Sequence, residues 1–557
     1  MTGRSLQGKQ SSGVMRWGLF ILLTFALHWA YVTLSQFWAL HGGGSSGLFY
    51  FEYPLVIIFC WILNFNGAKR TLLSIHMVTP ILTVFGVYLC YDFVYTYFAR
   101  SPRLSDFQNV WSLFSVSPLL FFGFLGWVAL TLAPLGYSFS AWRKNTPPAA
   151  RFTLLTVKTI SLVLLIMFIG SQRIYSYQKP RFQLSTWSET EAVRKNGRLS
   201  ALFYYYHKRQ ETLTKLKRQG RLEIFNHFYK GRVQKKSNIH IVVLESFVDP
   251  RKIKGLSFNR SPLNEALHPF LIGQNQNRFS MIESPVYGGG TAQAEFELLT
   301  GIPALSLADS IEFNLFSGGT TDSFVSRLKS IGYYTIASVA TEPVFYNSQN
   351  AYQGIGFDEV HFLGTDAYFI AKTDSEHLFD GDLLRANGNY ILQLQGKKGH
   401  GRPVLNYVVG MYGHIPFTRD RTLRPDVIAT IPEGSPFTEI ANQFYYRTGA
   451  VAEFIRETLK NDPEAIILVT SDHLPPIFNH KIRYQGNSKA NIALLIVGGK
   501  AVDLSGKKYF ELSHLIWNLL AGSSEPTDTA SIFSGIDPES IYLSYLAEAA
   551  GVTPDSR

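Results

Sequence analysis

The residues best placed for polar chemistry each stand directly after an apolar run or a glycine run. Glu245 follows Ile-His-Ile-Val-Val-Leu, His414 follows Tyr-Val-Val-Gly-Met-Tyr-Gly, Asp472 and His473 follow Ile-Ile-Leu-Val-Thr-Ser, and Thr291 follows Gly288, Gly289 and Gly290. Singly, each has a plain structural explanation: a surface carboxylate, a core histidine, a tight turn. Jointly they make a donor set for a divalent cation, with the carboxylates of Glu245 and Asp472 and the imidazole of His473 as ligands and the hydroxyl of Thr291 as a further one. A coordinated hydroxyl loses its proton more readily and becomes a nucleophile near neutral pH. The three glycines, Gly290 last, let backbone come close to a phosphate, and the start of the next helix offers free N–H groups to the anion. His414 is then suited to protonating a leaving alkoxide or to binding the phosphate.

Elements able to bring these residues together are visible from Ser237 onward. Apolar runs at 239–244, 334–339, 404–409, 465–470 and 492–497 read as strands, and 292–300, 321–331 and 437–459 read as helices. Strands alternating with helices predict an α/β domain with a mostly parallel central sheet. In such sheets ligands bind beyond the carboxyl ends of the strands, where Glu245, His414, Asp472 and His473 stand.

The preceding part of the chain is of another kind. Apolar segments at 17–40, 48–65, 72–98, 111–139 and 152–174 are each about long enough to cross a hydrocarbon core as a helix. The first is too long for a cleavable signal peptide, and no small-residue cleavage site follows it. Arg4, Lys9 and Arg16 precede the first segment, Lys69 and Arg70 lie between the second and third, and Arg143, Lys144 and Arg151 lie between the fourth and fifth. The loop at 42–47 has no basic residue, and Arg100 and Arg103 make a weaker cluster in the loop after the third segment. This asymmetry predicts a cytoplasmic N-terminus and, after five crossings, an exterior position for everything beyond residue 174. The expected organisation is a five-helix transmembrane domain at 1–177, a basic amphipathic juxtamembrane linker at 178–236 and an extracytoplasmic catalytic domain at 237–557.

The linker mixes basic residues with Trp187, Phe203, Tyr204, Tyr205, Tyr206 and Ile224, a pattern fitting helices on a membrane surface or a solvated helical connection. Net charge is +11, yet no Lys/Arg stripe with interleaved aromatics and no nucleic-acid motif is present, which points away from nucleic acid and toward a lipid bilayer. Cys60 and Cys90 are the only cysteines, and both fall in apolar segments. A thiol nucleophile, a thiolate metal site or a disulfide in the polar domain is thereby excluded.

The strand end at Leu244, Glu245, Ser246 and Phe247, the stretch from Tyr287 through Thr291 and Glu295 to Gly301, the Gly413-His414-Ile415-Pro416-Phe417 loop and Ser471-Asp472-His473 occur in an order that resembles the lipoteichoic acid synthases and related phosphoglycerol transferases of the sulfatase and alkaline phosphatase superfamily. That family has five transmembrane helices before an extracellular domain. The resemblance implies that Thr291 attacks the phosphorus of phosphatidylglycerol, releasing diacylglycerol and leaving a phosphothreonine that passes to an acceptor hydroxyl. It implies manganese, or another divalent ion such as magnesium or zinc, held by Glu245, Thr291, Asp472 and His473. No cysteine stands at the nucleophile position, as a formylglycine-dependent sulfatase requires.

One segment departs from the pattern. Where the family has Phe-Trp-Asn-Arg with a histidine upstream, this chain reads Phe345-Tyr346-Asn347-Ser348 with Glu342 upstream. The headgroup contacts are thus expected from Tyr346, Glu342, His414 and the backbone of Gly290. Loss of the arginine admits a phosphatidylethanolamine donor, whose ammonium an acidic residue such as Glu342 can receive. The expected activity is transfer of phosphoglycerol from a membrane phospholipid to a cell-envelope glycan or polyol-phosphate acceptor, at the bacterial cytoplasmic membrane with the catalytic domain outside. The alternatives are a phosphoethanolamine transferase of the same fold and a noncatalytic sulfatase-like protein that binds envelope components.

Overall fold

A computed structural model describes residues 4–37, 51–64, 75–98, 118–182, 189–217, 228–273, 277–305, 311–343, 345–363, 377–396, 401–415, 417–431, 437–475, 483–523 and 527–552. Lys69, Arg70, Arg100, Arg103, Trp187, Ile224 and the loop at 42–47 lie outside these residues, as does Pro416. The chain divides into two compact units, Met1–Thr212 and Leu213–Arg557.

Within its described residues the first unit is helical. Its helices include Arg4–Leu34, Glu52–Leu63, Ile75–Phe98, Pro118–Asn145 and Pro148–Gly170, one in each of the five apolar segments. Two hold stretches both long and apolar enough to cross a membrane, Phe122–Asn145 and Pro148–Gly170. The others offer shorter apolar stretches, Gly18–Leu34, Glu52–Leu63 and Val78–Phe93, so the clear spans number two and not the expected five. The cause is in the residues. The first helix opens on the polar run RSLQGKQSSGVMR, the second is 12 residues long and starts on Glu52, and the third carries Asp92. At 1.5 Å per residue a 12-residue helix falls well short of a ~30 Å core. The two clear spans turn apolar side chains outward, Leu130 at 78% and Phe152 at 76% exposure, as lipid-facing helices do and core helices do not.

Polar residues of this unit are collected inside it. Glu52 accepts from the backbone N–H groups of Leu199 (3.0 Å) and Ser200 (2.7 Å) and from the Ser200 and Tyr88 hydroxyls. It therefore caps the N-terminus of the helix Arg198–Lys217 from another helix, satisfying donors that the helix leaves open. Gly197 permits this approach: its φ is +93°, and a Cβ there would fall 2.5 Å from the Glu52 carboxyl carbon. Arg198 forms a bidentate pair with Asp92 (2.6 and 2.9 Å), and Tyr31 donates to the same carboxylate.

The second unit is built on an eight-stranded sheet. Its strands are β1 (Ile239–Leu244), β2 (Ser280–Glu283), β3 (Tyr334–Val339), β4 (Glu359–Phe362), β5 (Val404–Gly410), β6 (Ile466–Ser471), β7 (Ala490–Val497) and β8 (Lys500–Val502). The order is β8-β7-β6-β1-β5-β3-β4, with β2 also paired to β7. From β6 to β4 every pairing is parallel; β7 runs antiparallel to β6, β8 and β2. The sheet is thus mixed, with its parallel part in the middle, and a short ribbon pairs Ser257–Phe258 with Thr430–Ile431.

Every residue of β1, β5 and β6 is buried, the signature of strands covered on both faces. Ile239, Ile241 and Val243 of β1 join a core with Phe296, Tyr352, Trp517 and Tyr545, from helices on one face. Val242 and Leu244 point the other way, to Leu383, Phe444, Val451 and Ile455 from the helices Asp380–Gly396 and Phe437–Asn461. Each such side chain contributes about 1.5–3 kcal/mol on burial, which fixes the strand register on which the site depends.

Candidate active site

Register places the two carboxylates. Leu244 of β1 pairs with Ser471 of β6 on one side and Gly410 of β5 on the other, so Glu245 and Asp472 are neighbouring first residues beyond adjacent parallel strands. The Glu245 N–H still bonds to Gly410 O at 2.9 Å. At Ser246 the chain turns through a left-handed conformation (φ 45°), costly for a residue with a side chain and typical of a strained functional turn. That turn aims the Ser246 N–H at Asp472 Oδ1 (2.8 Å) and its hydroxyl at Glu245 Oε1 (2.8 Å).

Thr291 arrives on the helix Thr291–Thr300 after three glycines with φ of 75°, 147° and 87°, a run that residues with side chains rarely adopt. Gly288 N–H bonds to Leu474 O at 2.8 Å, tying the glycine turn to the segment after His473. Thr291 Oγ1 consequently lies 3.0 Å from Glu245 Oε2 and 2.8 Å from Asp472 Oδ2, and Thr291 is only 5% exposed.

Glu245, Asp472 and His473 bring their ligand atoms within 4.8 Å of one another, all three buried. His473 Nε2 lies 3.2 Å from Asp472 and 3.6 Å from Glu245 and, among the described residues, makes no hydrogen bond. Its Nδ1 bonds to Leu474 O (3.1 Å); a carbonyl only accepts, so Nδ1 carries the proton and Nε2 is left to ligate. Burial first, then the nearby Glu245 charge, push Asp472 up to about 7. Burial alone would lower the His473 imidazole, yet the charges of Asp472 and Glu245 raise it. Two carboxylates and an imidazole crowded away from water are costly without a countercharge. A divalent cation fits this donor set of two oxygens, a ring nitrogen and a hydroxyl.

Further residues steady this arrangement. Arg447 donates to Glu245 O (2.8 Å) and pairs with Asp380 (2.6 Å). A Cβ at Gly413 would lie 2.0 Å from Glu245 O and 2.5 Å from Arg447 Nη1, so the glycine allows the His414 loop to press on the Glu245 backbone. His414 Nδ1 bonds to Ile415 O at 2.7 Å, leaving Nε2 available, and its ring stands 5.2 Å from that of His377. Asn491 and Tyr509 donate to Ser471 O (2.6 and 2.8 Å), and Ser284 to Asp472 O.

Tyr346 reaches the same place from another loop. Its phenol meets the Gly290 N–H, and burial, then the charges of Glu245 and Asp472, raise its pKa well above the phenolic range. Ser348 is buried with its hydroxyl on Phe345 O, facing its own backbone. Glu342 is exposed, and among the described residues no bond ties its carboxylate to the cluster. The geometry therefore gathers Glu245, Gly290, Thr291, Tyr346, Asp472 and His473, with His414 on a loop packed against Glu245, and leaves Glu342 at the surface. Sequence reading missed Arg447, Asp380 and Asn491, and gave Ser246 no role beyond its place in the motif. Of these, Arg447 left a trace, as a charge interrupting the apolar stripe Ile440, Ala441, Phe444, Val451.

Residues 237–512 match the Sulfatase family profile. A protein of Rhizobium meliloti (strain 1021) named for cyclic beta-1,2-glucan modification is 23% identical over 252 residues, 43% of this chain; the match spans only 36% of that relative's length. Among solved structures, the lipoteichoic acid synthase LtaP of Listeria monocytogenes is 16% identical at a TM-score of 0.42, covering 58% of this chain and 81% of the other. The phosphoglycerol transferase GacH of Streptococcus pyogenes, in complex with sn-glycerol-1-phosphate, is 15% identical at a TM-score of 0.43, covering 61% and 91%. The periplasmic domain of EcEptC from Escherichia coli is 15% identical at a TM-score of 0.33, covering 53% and 84%.

Proposed function

We propose that this sulfatase-domain protein is a membrane-bound, metal-dependent phosphotransferase that moves a phosphoglycerol group from a membrane phospholipid to a glycan or polyol-phosphate acceptor through a phosphothreonine on Thr291. The observation that carries this reading is the hydroxyl of Thr291, buried at the start of a helix and within 3.0 Å of both Glu245 and Asp472. A buried threonine set against two carboxylates is poorly explained by packing and well explained by a nucleophile sharing a cation with them.

Glu245, Asp472, His473 and Thr291 would hold the divalent ion, manganese by the family resemblance. Bound there, the ion would favour loss of the Thr291 proton to solvent before the first turnover and would offset charge on the phosphoryl oxygens. Thr291 Oγ1 then attacks the donor phosphorus, the bond to the diacylglycerol oxygen breaks, and that oxygen takes a proton from His414. In the second displacement His414 accepts the proton of an acceptor hydroxyl, whose oxygen attacks the phosphothreonine and restores the Thr291 alkoxide. Tyr346 and the Gly290 backbone flank the phosphoryl group. The name of the Rhizobium relative is in keeping with a glycan acceptor.

The topology belongs to the same proposal. The two clear spans cross the bacterial cytoplasmic membrane, residues 178–236 form the juxtamembrane linker, and residues 237–557 act outside the cytoplasm. Arg143, Lys144 and Arg151, around the turn between the two clear spans, support a cytoplasmic position for that turn.

A phosphoethanolamine donor is the second reading, favoured by one observation: the position where the family has arginine is here Ser348, buried against its own backbone. The test is release of diacylglycerol by the purified full-length protein from vesicles of phosphatidylglycerol or of phosphatidylethanolamine. Release from phosphatidylglycerol, lost in Thr291→Ala, supports the first reading; faster release from phosphatidylethanolamine supports the second; release unchanged in Thr291→Ala overturns both.

A further inference from the structure

Glu295 lies one helical turn beyond Thr291 on the same helix, 4% exposed. Its carboxylate accepts from the hydroxyls of Tyr352 and of Tyr407 (2.9 Å), and among the described residues no Lys or Arg pairs with it. Burial holds its carboxyl up at about 7. Such a group is an expensive way to fill space, since an apolar residue of similar size packs as well or better. What it joins is therefore informative.

Tyr407 is in β5, in the middle of the sheet, opposite Ile241 and Ala337. Tyr352 is in the helix Ser348–Ile355, which begins directly after Tyr346 and Asn347. Both of those residues are left-handed, at φ 53° and 60°, and neither is a glycine. Conformations of this kind persist only where surrounding bonds enforce them. Asn347 supplies some, donating to Phe313 O (2.7 Å) and Phe316 O (3.0 Å). The nucleophile helix and the Tyr346 segment then touch at two levels: Gly290 N–H with the Tyr346 phenol at the site, and Glu295 with Tyr352 one turn below.

We infer that Glu295 is a positioning residue, a pin whose bonds to Tyr352 and Tyr407 lock the nucleophile helix to the Tyr346 segment and the sheet and so set the gap in which the donor headgroup sits. The headgroup part rests on the reading of Thr291 as nucleophile; the pin itself does not. Its function is to hold the strained Tyr346 backbone in place, so its loss acts on donor binding before it acts on the chemical step.

The test is hydrogen exchange by mass spectrometry on the full-length protein in detergent, with Tyr352→Phe as the leading variant because it removes one oxygen and leaves the ring packed. Peptides covering 345–355 are expected to exchange roughly tenfold faster, the size of one lost bond to a carboxylate, while peptides of β6 stay as in wild type. Glu295→Gln keeps an oxygen able to accept both hydroxyls and is expected to stay near wild type, whereas Glu295→Ala loosens the same peptides. Unchanged exchange in Tyr352→Phe, or equal loss in Glu295→Gln and Glu295→Ala, overturns the pin. In the diacylglycerol assay Tyr352→Phe is expected to raise the donor KM several-fold with little change in kcat. Loosened peptides in a protein that turns over no lipid would keep the pin and remove the transferase reading. Turnover with wild-type exchange in Tyr352→Phe would do the reverse.

Discussion

Both units of this chain bury carboxylates, and the first unit and the Thr291 site of the second treat them in opposite ways. In the first unit Asp92 is matched by Arg198 in a bidentate pair, and Glu52 is surrounded by two backbone N–H groups and two hydroxyls at the open end of a helix. In the second, Glu245 and Asp472 are set beside each other with, among the described residues, His473 as a partial countercharge, and the threonine hydroxyl is pointed at both. Buried charge neutralised from within is architecture. Buried like charge left to be neutralised from without is the arrangement a cation site requires.

The largest effect should follow from removing a ligand. Asp472→Asn or Glu245→Gln is expected to lower lipid cleavage by at least about 10³-fold, in line with the loss of an ion that generates the nucleophile. Thermal scans should show the wild-type protein gaining stability on addition of a divalent ion and the variants gaining little. A ligand variant that keeps both activity and the ion-dependent shift would erase the contrast between the units.

His414→Ala comes next. A general acid and base contributes roughly 10²–10⁴-fold, so transfer should fall by that order while the ion-dependent thermal shift stays as in wild type. Loss of the shift would move His414 into the ligand set.

The first unit supplies the opposite control. Arg198→Met takes the cationic partner from the buried Asp92, which costs roughly 3–5 kcal/mol, and divalent ions should not restore that stability. Replacing Asp92 and Arg198 together by apolar residues should recover much of it. A divalent ion that rescued the single variant would mean that this cluster, too, is a cation site.

The smallest effect is expected at Glu342, which is exposed and, among the described residues, has no bond to the cluster. Glu342→Gln should change the preference between phosphatidylglycerol and phosphatidylethanolamine by no more than a few-fold, the scale of an exposed charge contact. A large swing would assign the headgroup to this carboxylate.

The central strands were legible because β1, β5 and β6 are covered on both faces and so read as unbroken apolar runs. The candidate site followed from them, since Glu245 and Asp472 come immediately after such runs. Short edge strands gave no such signal: Glu359–Phe362 carries Glu and His, and Lys500–Val502 is three residues long. The helix Asp380–Gly396 was hidden by glycines at 381, 388 and 396, residues that argue against helix by propensity and are outvoted here by packing on the sheet. Antiparallel β7 could not be told from a parallel strand, because direction is set by pairing partners and not by composition. In the first unit, segment length overstated the spans. An apolar window cannot register that Glu52 caps a neighbouring helix or that Asp92 has Arg198 as a partner far along the chain.

The most direct measurement is the mass of the full-length protein after brief incubation with phosphatidylglycerol vesicles and a divalent ion, followed by peptide mapping. An adduct with the mass of one phosphoglycerol group, on the peptide containing Thr291 and missing from Thr291→Ala, is the predicted result. Lipid turnover that proceeds at the wild-type rate in Thr291→Ala, with no adduct on that peptide at any time, would contradict the account.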